Sequence, residues 1–202
     1  MLCPRNGFQT TQAMRLFVPR LIVLLTAVGA ITCRCSSQDS NLEKSKHAYN
    51  AYEYITSTLD TMALSYEYVT SALDAMIRSN STNNKAAYQR EINDAAFSVS
   101  QSIKWCKRGR EAVVATSQEV KSMGCLLSQT EFSKASELIL TATQELLEAE
   151  SNFTQAAGAE NPFYVSRMYD EVPAHIASAQ RYLKLASEEI KGGIVDTKEC
   201  VH

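Results

Sequence analysis

From Asn41 onward apolar residues return at every third or fourth position with little interruption, a period that belongs to α-helices with one buried face. In the first segment Ala48, Tyr52, Ile55, Leu59, Met62, Tyr66, Val69, Leu73 and Met76 alternate steps of four and three. This heptad seam predicts a long helix over 41–79 packed lengthwise against others. A second stripe, Tyr88, Ile92, Ala95, Val99, Ile103, Cys106, Val113 and Val120, predicts a helix over 84–123. The third is the most regular. Phe132, Ala135, Ile139, Ala142, Leu146, Ala149, Phe153 and Ala156 alternate large and small residues over 129–157, so that a neighbour can interdigitate. The fourth, over 162–191, carries Val165, Tyr169, Val172, Ile176, Ala179, Leu183, Ala186 and Ile190.

The punctuation between these segments is legible. SNSTNN (Ser79–Asn84) favours a turn and an N-cap, because short polar side chains compete for backbone hydrogen bonds. Gly124 suits a helix C-cap, Gly158–Pro162 is a break, and Gly192-Gly193 is expected to end the last helix. Pro173 is expected to kink or divide that helix at Val172. The second stripe weakens at Lys107-Arg108-Gly109-Arg110, a charge run that reads as a solvated turn of helix with room for a kink. Four helical segments joined by short connections, with no alternating strand pattern, predict an all-α fold: an antiparallel, up-down-up-down four-helix bundle of long heptad-patterned helices.

The first helix contains a duplication. Tyr52–Ser65 reads YEYITSTLDTMALS and Tyr66–Ser79 reads YEYVTSALDAMIRS, with nine of fourteen positions identical. Fourteen residues are two heptads, so the copy preserves the phase of the buried stripe.

The opening 35 residues differ from the rest. They hold 4 of the 20 Lys and Arg and none of the 22 Asp and Glu, and Arg15 and Arg20 precede an apolar run from Leu21 to Ile31. That run is short for a membrane span and is followed by small residues, the pattern of a secretory signal peptide, with Met14 as the expected start. The organisation expected is a leader, 1–35, and a helical domain, 36–202, with no transmembrane segment in the mature protein. Without the leader 16 basic residues face 22 acidic ones, a balance unsuited to nucleic acid.

A secreted chain should pair its cysteines. Cys106 and Cys125 on one unbroken helix would stand roughly 28 Å apart, too far to bridge. The turn at Cys125 should share an end of the bundle with the chain terminus, so the expected disulfide is Cys125–Cys200. Cys35–Cys125 with Cys106–Cys200 is the rival pattern. Asn80-Ser-Thr and Asn152-Phe-Thr are glycosylation sequons in a chain that is exported.

Motifs of catalysis are not visible. His47, His175 and His202 have no second ligand at metal spacing, and there is no GxSxG and no glycine-rich phosphate loop. The expectation is therefore a non-enzymatic protein without cofactor or metal, acting extracellularly by binding another macromolecule as an effector, inhibitor, ligand or matrix component. Tyr54 and Tyr68 are the expected contact residues. They lie two positions from Tyr52 and Tyr66, hence about 200° around the helix, among Thr58, Thr61, Ser65 and Ser71, and the competing reading is that this helix is buried on two sides inside the bundle. Their fourteen-residue spacing could serve a long groove or a second copy of the same helix. The alternative to an interaction protein is an extracellular carrier of lipid or a small apolar ligand, since Tyr, Ala and Met in the stripes leave room for one.

Overall fold

The computed structural model describes residues 38–159 and 162–201, so the expected signal peptide and Cys33 and Cys35 lie outside the described residues. The fold is carried by the unit Ser40–His202. Its helices are α1 (Gln38–Asn80), α2 (Lys85–Ser122), α3 (Leu126–Gly158) and α4 (Pro162–Val201), with no strand among the described residues.

All four helices contribute to one apolar core, with Val69, Val99, Phe132, Ile139, Leu146, Ile176 and Leu183 at its centre, and together they form a helical bundle. The helices are also tied in pairs by polar contacts. His47 Nδ1 lies 2.6 Å from Glu119 Oε2, and Arg78 Nε donates to Glu91 Oε2 at 2.8 Å, joining α1 to α2 near both ends. Ser117 and Ser133 hydroxyls meet at 3.2 Å between α2 and α3. His175 lies 2.8 Å from Glu145 between α4 and α3, and Gln180 donates to Thr70 at 3.0 Å between α4 and α1.

The turns form for the reasons their residues suggest. Asn84 caps α2, its side-chain oxygen accepting from the amides of Ala86 at 2.9 Å and Ala87 at 3.2 Å. At the end of α2, Gly124 adopts φ +85°. Its amide donates to Lys121 O and that of Cys125 to Val120 O, the two bonds of a Schellman closure.

The seam of α1 differs in phase from the one the large apolar residues suggest. A buried line runs through Ala51, Ile55, Thr58, Met62, Ser65, Val69, Ala72, Met76 and Ser79, again at steps of four and three, with Thr61 and Ala75 buried beside it. Leu59, Tyr66 and Leu73 flank this line half-buried. Ile55, Met62, Val69 and Met76 are common to both seams; the alternate positions are small residues in place of Tyr and Leu. Small residues win the centre because they let α2 approach closely, and the serine hydroxyls among them, with Thr61 alongside, bond to their own helix. Thr61 donates to Ser57 O at 2.8 Å and Ser65 to Thr61 O at 2.9 Å.

The charge run of α2 stays helical, as expected of a helix over 84–123, while three further expectations, on Pro173, on Gly192-Gly193 and on the start of α3, are corrected. The helix α2 passes unbroken through Lys107–Arg110, and Gly109 is buried there as a point of close approach: a Cβ on it would lie 3.1 Å from Thr61 Oγ1. Pro173 sits inside α4 without dividing it, flanked by the fully buried Val172 and Ile176. Gly192-Gly193 does not end α4, which continues to Val201. A Cβ on Gly192 would collide with the Glu131 carboxylate, and one on Gly193 would stand 3.0 Å from the Phe132 ring, so these glycines admit the start of α3. That start is itself three residues earlier than expected, at Leu126, because the chain turns directly into α3 after the Gly124 closure.

Candidate interaction surface

Every seventh residue of a heptad helix returns to the same side, and His47, Tyr54, Thr61 and Tyr68 form such a series on α1. His47 meets Glu119 of α2 and Thr61 packs at Gly109 of α2, so the whole series borders α2. Asn50 supports the same edge, donating to Glu119 Oε1 at 3.4 Å. The corresponding series on α2 is Glu91, Ser98, Trp105, Ala112 and Glu119, whose two ends bond to Arg78 and His47 of α1.

This placement corrects the sequence reading. Tyr54 and Tyr68 do not stand on an outer face backed by Thr58, Thr61 and Ser65, all three of which are buried. The seam is rotated toward those hydroxyl residues, which carries the tyrosines to the border between α1 and α2. There Tyr54 remains 39% exposed and Tyr68 is half-buried, while Ser71 is exposed elsewhere on the helix.

Trp105, the one tryptophan of the chain, was not marked by periodicity. Ser102 donates to the Ser65 carbonyl at 3.0 Å and Gly109 packs on Thr61, so Trp105 falls at a level between Tyr54 and Tyr68. It is half-buried, and its indole N–H is enclosed without an acceptor among the described residues. Arg108 Cζ stands 4.9 Å and Lys104 Nζ 5.8 Å from the ring centroid, both within cation–π range. Its signal in the sequence was compositional: a lone Trp inside the basic run Lys104-Trp-Cys-Lys-Arg108.

The cysteines divide into two kinds. Cys125 and Cys200 form a disulfide with Cα atoms 5.7 Å apart, tying the start of α3 to the end of α4. Cys106 is a free, fully buried thiol. Burial pushes its pKa up, opposed by hydrogen bonding with Ser65, Ser102 and Thr143. An inert thiol of this kind is a small core residue. Of the sequon residues, Asn80 is exposed at the last position of α1. Asn152 is half-buried within α3, and its partner Thr154 donates to Glu150 O at 2.9 Å.

No group of three or more His, Cys, Asp or Glu able to hold a metal occurs among the described residues. No described helix is long and apolar enough to cross a membrane. The chain matches no protein-family model, no curated protein and no solved structure.

Proposed function

We propose that this chain is a secreted, antiparallel up-down-up-down bundle that acts by binding an extracellular macromolecule, without catalysis, through the border between α1 and α2. The observation that carries the reading is the aromatic row Tyr54, Trp105 and Tyr68 with Arg108 and Lys104 over the indole. Aromatic and arginine side chains are the residues that most often dominate binding energy at an interface. Rigid tyrosines make large contacts at small entropic cost. The opposite order of the α1–α2 pairs, His47 with Glu119 and Arg78 with Glu91, supports the antiparallel arrangement.

Export rests on the leader and on the Cys125–Cys200 bond, which suits an oxidising compartment. Asn80 and Asn152 are proposed to carry glycans there, and glycosidase treatment of secreted protein should lower its mass.

The test is a comparison of wild type with a Tyr54→Ala/Tyr68→Ala variant in capture from extracellular material of the source. The variant should retain its helical circular dichroism and lose the partners that the wild type retains. Identical capture by the two proteins would dispose of this surface.

A further inference from the structure

The helices α2 and α3 leave an open groove of about 570 Å³ between them, a volume within the range of small-molecule sites. One wall is a single face of α2, with Lys107 and Arg110 beside Val114 and Ala115; the facing wall of α3 contributes Leu140 and Leu147. The apolar lining is only partly covered, Val114 being 36% and Leu147 41% exposed.

Arg110 separates this groove from an ordinary furrow between helices. Its guanidinium forms no ion pair or hydrogen bond with any of the described residues, and its Nε is buried, although Glu111 also lines the groove. Buried polar groups are nearly always bonded, and a guanidinium N–H can be satisfied only by an acceptor. A carboxylate is the acceptor that the fork of a guanidinium fits best, and Lys107 adds a second positive charge beside it.

We propose that the groove binds a free alkyl carboxylate, with the carboxylate on Arg110 and Lys107 and the chain along Val114, Ala115 and Leu140. This site is separate from the α1–α2 border, so either can fail without the other.

The experiment is calorimetric titration of the disulfide-bonded protein with decanoate, with 1-decanol as the neutral comparison. Saturable binding of decanoate at one site per chain is expected, with weaker binding of the alcohol. Arg110→Gln should weaken decanoate by about tenfold or more, as loss of a charged hydrogen bond does, and Arg110→Lys should restore part of it. Ala115→Trp, which fills the groove from a half-buried position, should abolish binding while circular dichroism and melting stay unchanged. It carries the test should Arg110→Gln fold poorly. Absence of saturable binding, equal affinity in wild type and Ala115→Trp, or association only with anionic phospholipid vesicles would overturn the proposal.

Discussion

Thr58 buries its hydroxyl completely and gives it no hydrogen-bond partner. Replacing it with the isosteric Val removes an unsatisfied polar group at constant shape, and the expected gain is about 1 kcal/mol. Thermal melting should rise by roughly 2–4 °C for a domain of this size. Glycine positions make a complementary set. Gly193→Ala must push against the Phe132 ring at 3.0 Å, so it should destabilise by about 1 kcal/mol or more despite alanine's better helix propensity. Gly158, with nothing within 4 Å of an added Cβ, should instead gain roughly 0.5–1 kcal/mol on the same change. The titratable residues of the interior act at alkaline pH. Burial raises the pKa of Cys106 above its ordinary 9.0 and those of Tyr88 and Tyr169 above 10.0. In the unfolded chain these groups lose their protons first, so stability is full below pH 9 and should decline as pH rises past it, which melting in a pH series would measure.

At the scale of the element, α1 shows what a hydrophobic pattern can and cannot convey. Helix, length and heptad period follow from the stripe, but its rotation by one residue does not, since Ala51, Thr58, Ser65, Ala72 and Ser79 lie at the centre on account of size. In α3 the same reading needs no correction, for all eight of its stripe residues, from Phe132 to Ala156, are buried. There the large and small residues already alternate along a single line. The two phases for α1 are separable by mutation. Met62→Asp places a charge at a buried position and should abolish cooperative unfolding. Leu59→Asp, on the half-buried flank, should cost distinctly less. If Leu59→Asp proves the more damaging, the seam lies where the large residues put it.

For the whole molecule, the strongest covalent constraint is the Cys125–Cys200 bond, which spans a sequence separation of 75 residues. By the chain-entropy argument a loop of that length is worth about 4.5 kcal/mol, and a Cys125→Ala/Cys200→Ala variant should lose stability up to that amount in urea titration. This pairing could be anticipated because helix lengths set which ends meet. The rotation of each helix about its axis depends on the helices it faces, which one sequence does not display. For that reason the sequence leaves open which face the tyrosines occupy, and Trp105, the His47–Glu119 pair and the α2–α3 groove do not show in it. Each depends on two helices at once.

The duplication in α1 bears on how the bundle finds its alignment. The copies match in burial as well as in sequence: Ile55 and Val69, Thr58 and Ala72, Met62 and Met76, and Ser65 and Ser79 are buried in both. A slide of α1 by fourteen residues, about 21 Å, would keep one copy's knobs in the other's holes, but the place of the second copy would fall to Asn41, Lys44, Ala48 and Ala51 in one direction and to the residues after Asn80 in the other. Opposite Gly109 the first slide would bring His47 in place of Thr61, and the second Ala75. The outer pairs discriminate as well. In one direction Glu119 would face Thr61 in place of His47, and in the other Glu91 would face Leu64 in place of Arg78. Surface charges that add little to stability thus only second the unmatched half of the seam and the four-residue link from Asn80 to Lys85 in keeping a repetitive helix in its place, and neutralising both should leave a single aligned state.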